Sequence, residues 1–220
     1  MSNPKRLIPI YSVDRNDKKI AITFDAAWGA DKTRDIIAVL NDNNVKATFF
    51  LVGFWAEKYP LEVNLLVESG MEIATHSQTH PHLNGMSREK IHEEIVGSAS
   101  LIEKISNTQI RLFRAPFGEY NNTSVSICAE NNIYPIQWSV DSLDWKGISA
   151  KEINERIERQ VKCGSIILCH NNSDHIVEAI RTLLPKLIEK GYELVTVSDL
   201  IFKENYFIDG TGKQIEKGIR

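Results

Sequence analysis

Lys19-Ile20-Ala21-Ile22-Thr23-Phe24-Asp25 is an apolar, β-branched run that closes on a carboxylate. A run of this length and make-up reads as a buried strand over 19–24. Residues 31–41 follow with apolar positions at Ile36, Ile37 and Leu40, a helix-like spacing, and then a second apolar run begins at 47–52. Strand, helix, strand is a βαβ unit, whose strands lie parallel. The turn after the first strand, Ala26-Ala27-Trp28-Gly29, is not GxGxxG, so it gives no dinucleotide-binding signature.

The same alternation continues along the chain. Further strands are predicted at 72–75, 110–113, 134–140, 165–169 and 193–197, and helices at 87–105, 121–131, 149–161 and 174–190. Ser87 begins its helix as a cap with Glu89 nearby, and Pro185 is expected to kink or interrupt the last helix. Seven such units predict an α/β chain folded as a closed or nearly closed (β/α) barrel of about seven parallel strands, in a single domain. The organisation expected is an arm over 1–18, the barrel over 19–201 and a tail over 202–220. In the tail, residues 208–213 read as a hairpin turn or a loose end.

Composition narrows the partners. The chain has 220 residues, 42% hydrophobic and 25% charged, with a formal charge of −3. This is ordinary globular make-up, and it predicts neither a nucleic-acid nor a membrane-surface partner. No apolar stretch is long enough to span a membrane. The start, residues 1–6, has no apolar region after it, so either the protein is cytoplasmic or an export signal is absent from this chain. Cys128, Cys163 and Cys169 form no CxxC. Cys169 adjoins His170, but neighbours on a strand face opposite ways, which favours a buried structural thiol over a Cys–His nucleophile.

The chemistry gathers at the strand ends. His76-Ser77-Gln78-Thr79-His80 carries two imidazoles four apart, a spacing that suits metal ligation and also occurs as plain polar surface. Asp25, Arg114, Asp141, Asp144 and His170 close other strand-like runs. Taken singly, Asp25 reads as a helix cap, Arg114 as half of a structural ion pair and His170 as a core histidine. Taken together, at the carboxyl ends of barrel strands, they read as a site for metal-assisted hydrolysis.

These residues carry a resemblance. Thr23-Phe24-Asp25, His76–His80, Arg114-Ala115-Pro116-Phe117-Gly118, Asp141-Ser142-Leu143-Asp144-Trp145 and Leu168-Cys169-His170 are similar to the five motifs of polysaccharide deacetylases of carbohydrate esterase family 4, in family order. The resemblance covers residues 19–201. It implies a distorted barrel that removes acetyl groups from polymers such as peptidoglycan, chitin and xylan. It also implies that Asp25 is the general base, His76 and His80 are metal ligands, Arg114 tunes Asp25, and Asp144 orients His170 as general acid. Trp145, Phe117 and Trp28 become substrate-binding residues, with a backbone N–H near Phe117 facing the oxyanion.

One departure stands out. Where the family pattern has a second Asp as third metal ligand, this chain has Ala26. Weak or conditional binding of a divalent metal, zinc or else cobalt, nickel or manganese, is therefore expected, with Asp31 as a remote substitute ligand. The continuation Ala27-Trp28-Gly29 resembles a sporulation-associated subgroup in which that Asp is also replaced. Other residues take plainer roles: His82 packs beside its motif, Asp174 and His175 cap the next helix, His92 faces solvent and Trp138 packs in the core.

The expected function is deacetylation of N-acetylated amino sugars in a cell-envelope glycan, peptidoglycan foremost, by a monomer. Its place would be the envelope, spore or extracellular space, or the cytoplasm if nothing exports it. Two alternatives are a glycan-binding protein that has lost catalysis through Ala26, and a small-molecule amide hydrolase on the same barrel.

Overall fold

The computed structural model describes residues 6–218, so residues 1–5 of the stretch read for an export signal lie outside it. Its strands are β1 (Ser12–Val13), β2 (Lys19–Ala26), β3 (Thr48–Leu51), β4 (Glu72–Thr75), β5 (Leu112–Phe113) and β6 (Tyr134–Pro135). They continue with β7 (Val140–Asp141), β8 (Ile166–His170), β9 (Glu193–Leu194), β10 (Tyr206–Ile208) and β11 (Lys213–Glu216). The main sheet runs β6-β5-β4-β3-β2-β8-β7, with β9 also on β2, and all its pairings are parallel. β2 lies inside the sheet between β3 and β8, and every residue from Ile20 to Ala26 is buried, as a strand covered on both faces requires.

The predicted strand over 134–140 is corrected in an informative way. Its first part pairs with β5 and its second with β8, at opposite edges of the sheet. One segment thus reaches from edge to edge, and the seven parallel strands curl into a half-barrel. A single strand could not pair straight along its length with both edges, so the segment breaks at 136–139.

Alternation along the strands assigns every side chain to one of two cores. Ile20, Ile22, Phe24 and Ala26 of β2 join the outer core beneath the helices, with Phe49, Leu51, Ile73, Ile167 and Cys169. Ala21, Phe50, Ala74, Leu112 and Ile166 fill the inner face. Counting in twos from these inner residues leads to Asp25, His76, Arg114 and His170, so the period of the strand alone turns all four toward the interior. Cys169, one residue off, faces the outer core as expected, and burial pushes its thiol well up.

Two helices differ from expectation. Pro185 does not interrupt its helix, which runs from Ile176 to Glu189. Burial of Ile176, Ile180, Leu183, Leu184 and Leu187 along one stripe outweighs the cost of about 3 kcal/mol that an interior proline carries. The predicted helix over 87–105 is α-helical over Arg88–His92, π-helical over Glu93–Gly97 and α-helical again over Ser98–Ser106. Ser87 caps it by accepting from the Lys90 N–H.

The arm and the tail meet. β1 pairs in parallel with β11, which pairs with β10 as an antiparallel hairpin, making a separate three-stranded sheet. Among the described residues, no helix is long and apolar enough to cross a membrane.

Candidate active site

Asp25 and Arg114 form the buried centre of the site. Arg114 Nη1 donates to Asp25 Oδ1 at 2.6 Å and to Thr23 Oγ1 at 2.8 Å, while Nη2 donates to the Gln137 carbonyl at 3.2 Å. The guanidinium lies 3.9 Å from the centre of the Phe50 ring and is fully buried. Burial pushes the Asp25 carboxyl up, but Arg114, His76 and His170 together outweigh it and hold the group below its ordinary range. Asp25 is therefore a carboxylate at neutral pH.

His76 faces the same carboxylate, its Nε2 3.5 Å from Asp25 Oδ2. Its Nδ1 lies 2.8 Å from the Arg114 carbonyl, and a carbonyl only accepts, so Nδ1 carries the proton and Nε2 the lone pair. That arrangement, a backbone carbonyl fixing one ring nitrogen, is the usual support of a metal-binding imidazole. Burial lowers the pKa of His76 despite Asp25 beside it. His80 is lowered to about 4, by burial first and by His76 next. Both rings are neutral at pH 7, the form that ligates metals.

His80 stands among aromatic rings, with centroids 4.9 Å from Trp28, 4.7 Å from Phe117 and 5.0 Å from His76. His82 stacks on Phe117 at 4.2 Å and pairs with Glu119 at 2.6 Å. It thus packs beside the motif, as expected. Four residues of the motif loops, Ser77, His80, Phe117 and Leu143, have φ between +56° and +73°, a conformation that L residues rarely adopt. Strained backbone of this kind persists where surrounding contacts hold it, and it clusters at functional sites.

The second couple is His170 with Asp144. Asp144 Oδ1 lies 2.7 Å from His170 Nδ1, and its Oδ2 accepts the His170 backbone N–H at 2.8 Å. Burial lowers the imidazole pKa, but the hydrogen bond and charge of Asp144, with Asp25 and Asp141, overcome it and raise the net value. Asp144 is itself fixed by the Ser142 hydroxyl, which accepts its backbone N–H.

Asp25, His76, His80, Asp144 and His170 line a cleft of about 770 Å³ with Asp141, Trp28, Phe117, Trp145 and Trp138 along it. Trp28, Phe117 and Trp145 are 56%, 59% and 59% exposed, so three aromatic faces stand open at the rim. Trp138 packs against the inner core as expected, but it is only half-buried and also lines the cleft, 5.7 Å from the Arg114 guanidinium. The break that lets residues 134–141 serve two edges is what frees it. His92 is exposed, as expected. His175 occupies the N-cap position of its helix but makes no side-chain cap bond there, and Asp174 pairs with Lys32 at 3.3 Å instead.

The donor set meets a divalent cation at two points. Ala26 lies in the outer core and offers only a methyl group. Asp31 is exposed, 3.7 Å from Lys32 and outside the cleft lining. Among the described residues, no three His, Cys, Asp or Glu side chains form a metal-holding group. The chemistry of His76 and His80 fits a cation; the number of donors is one short of the three usual for catalytic zinc.

Glu94 was missed by sequence reasoning. Its carboxylate accepts from the backbone N–H groups of Gln78 and Thr79 and from the Thr79 hydroxyl. The available signal was a charged residue on the same stripe as Ile91, Ile95 and Ile102.

Such a cleft at the strand ends of a curled parallel half-barrel defines the deacetylase type of fold. Residues 12–136 match the polysaccharide deacetylase family model, and the chain belongs to that family. It is 32% identical to a peptidoglycan-N-acetylglucosamine deacetylase of Bacillus cereus, over 86% of this chain and 70% of that protein. It is 33% identical to the peptidoglycan-N-acetylmuramic acid deacetylase PdaC of Bacillus subtilis, over 86% of this chain but 40% of that one. Among solved structures, wild-type BA3943 from Bacillus anthracis, described as a CE4 family pseudoenzyme, superposes with a TM-score of 0.85. It is 31% identical, with 89% of this chain and 69% of that one covered. A BA3943 mutant described as having restored enzymatic activity matches equally well, at 0.85 and 32% identity, covering 89% of this chain and 71% of that one.

Proposed function

We propose that this protein hydrolyses the acetamido group of N-acetylated amino sugars in a cell-envelope glycan, peptidoglycan foremost, and acts there as a monomer. The observation that carries the reading is the presence of two acid–base couples on one cleft, Asp25 with Arg114 and His170 with Asp144. Simple binding needs no base, no cation to keep that base ionised and no oriented imidazole. The B. cereus and B. subtilis relatives, named for deacetylation of peptidoglycan, support the choice of glycan.

In this reading Asp25, kept ionised by Arg114, takes a proton from the attacking water. His170, with Nδ1 committed to Asp144, presents Nε2 and delivers a proton to the departing amine, without which an amine is a very poor leaving group. Trp28, Phe117 and Trp145 offer flat faces to the C–H faces of successive pyranose rings. His76 and His80 would hold a divalent cation, zinc foremost; when bound, it polarises the acetyl carbonyl and lowers the pKa of its water. Ala26 makes that binding weak or conditional on substrate.

The test is acetate release from peptidoglycan and from chitin oligomers, with and without added zinc. Wild type should release acetate, and Asp25→Asn and His170→Ala should each lose about 10²–10⁴-fold, the usual contribution of a general base or acid. Equal release by all three proteins would end this reading.

Ala26 and the likeness to BA3943 favour a second reading, a glycan-binding protein without turnover. It predicts saturable binding of the same oligomers with no acetate released at any zinc concentration. The open aromatic rim counts against the third reading, since a small cyclic amide calls for a closed pocket.

A further inference from the structure

We propose that Glu94 is the positioning residue that holds the 76–80 loop so that both imidazoles face Asp25, an inference that rests on the metal-binding part of the reading above. The loop needs holding. Ser77 and His80 have φ of +73° and +59°, each a left-handed conformation in a residue with a Cβ. Two such positions within four residues cost backbone energy that the loop's own bonds must offset. Its internal support is the single bond from the His80 N–H to Ser77 Oγ at 2.9 Å.

From outside, the Gly53 and Phe54 N–H groups hold the Ser77 and Gln78 carbonyls at 2.9 and 3.2 Å, and Glu94 takes the donors that remain. Oε2 accepts the N–H groups of Gln78 and Thr79 at 2.9 and 2.8 Å, and Oε1 accepts the Thr79 hydroxyl at 2.7 Å. Two successive N–H groups converging on one oxygen make a small anion-binding concavity, here filled by a side chain of the same protein. Hydrogen bonds to a charged acceptor are about twice as strong as neutral ones, and the carboxylate is buried, so water competes little. A second grip comes four residues on, where Ser98 Oγ donates to the Ser77 carbonyl at 2.9 Å and meets Thr75 Oγ1 at 2.7 Å.

The helix is locally reshaped at this point. Glu94 lies in the π-helical turn Glu93–Gly97, with Ser98 just past it. Ile91 before the turn, Ile95 within it, and Ala99 and Ile102 after it stay in the outer core. An inserted π turn of this kind is often found at functional sites, where it re-aims side chains without ending the helix. Here it lets one helix bury an apolar stripe and still aim a carboxylate at the loop that carries His80.

The expected consequence is specific. Glu94→Gln keeps the shape but replaces one acceptor oxygen by an NH2 group that faces donors. It should weaken zinc binding by about 10- to 100-fold, the usual effect of losing a residue that orients metal ligands. Zinc titration by calorimetry reads this in wild type, Glu94→Gln, Thr79→Val and Thr79→Ser. Thr79→Val deletes only the hydroxyl bond and should weaken zinc binding to a smaller extent, and Thr79→Ser, which restores the hydroxyl, should recover it. A second readout needs no metal: nuclear Overhauser contacts of the His80 ring with Trp28 and Phe117 should fade in Glu94→Gln, with faster amide exchange at Gln78 and Thr79. Loss of those contacts supports the proposal even if wild type binds no zinc, a result that would sink only the metal reading. Ring contacts, amide exchange and zinc affinity all unchanged in folded Glu94→Gln would overturn it. Should that variant fail to fold, zinc affinity and ring contacts in Thr79→Val equal to those of wild type would do the same.

Discussion

Asp25 and His170 are register partners on the neighbouring parallel strands β2 and β8. Partner positions in parallel strands turn their side chains to the same face, so the two groups stand side by side at the strand ends. Their surroundings move them apart: Arg114 holds Asp25 below its ordinary range, and Asp144 holds His170 above its own, each against the effect of burial. Two titratable groups separated in this way are suited to serve as base and acid at one pH.

The pH profile should show it. Acetate release needs Asp25 without its proton and His170 with it, so activity should fall in acid through the Asp25 value and in alkali through the raised His170 value. Asp144→Asn removes the charge that raises His170 and should shift the alkaline limb to lower pH. A limb that does not move, in kcat/KM against pH, would remove Asp144 from this role.

Stability should follow the buried ion pair. Arg114→Met leaves the Asp25 carboxylate buried without its cation, a change that costs about 3–5 kcal/mol in comparable sites. The sign in acid is also fixed. Because the folded value of Asp25 is depressed, its contribution is present above the unfolded value, about 3.9, and is lost as pH falls through the folded one. In Arg114→Met burial dominates, so lowering the pH should partly restore stability. Urea unfolding at several pH values checks both; parallel curves for the two proteins would contradict the account.

Ala26→Asp should couple metal and stability. The position is fully buried, so a carboxylate there lowers the melting temperature of metal-free protein. Because Ala26 closes its strand in the outer core, zinc recovers that loss only where the strand end turns the new carboxylate toward His76 and His80, as a ligand that binds only the folded state stabilises it. Thermal unfolding with and without zinc reads both effects. A variant indifferent to zinc would mean that the new carboxylate stays in the outer core, out of reach of the imidazoles.

Rim aromatics should matter for binding and little for folding. Trp28→Ala and Trp145→Ala are expected to weaken chitin-oligomer binding by about 1 kcal/mol each, roughly fivefold. Their exposure predicts stability changes within about 0.5 kcal/mol. Fluorescence titration and melting curves give the two numbers. Unchanged affinity in both variants would take the glycan path away from the rim.

Much of the site was legible because strands have a fixed period. The apolar run ending at Asp25 and the motif loops at His76, Arg114 and His170 needed only that count to face one interior. What escaped was set by contacts distant in sequence. The split of 134–141 between two sheet edges depends on β5 and β8 being in place, and Trp138 becomes a cleft residue only through it. Pro185 sits inside a helix because the core beneath outweighs its local cost. Glu94, 14 residues beyond His80, is marked locally only as a charge on the apolar stripe of its helix, which does not say what it braces.

By itself, then, the sequence determined the alternation of strand and helix, the inward face of each strand and the residue types at its end, since those depend on near neighbours and on a period of two. Only the tertiary structure decided which ends meet, that Asp25 stands beside His170, that Ala26 faces the outer core and that Glu94 braces the histidine loop. Those relations arise from the curl of the sheet and the packing of helices over it, which no local stretch of chain encodes.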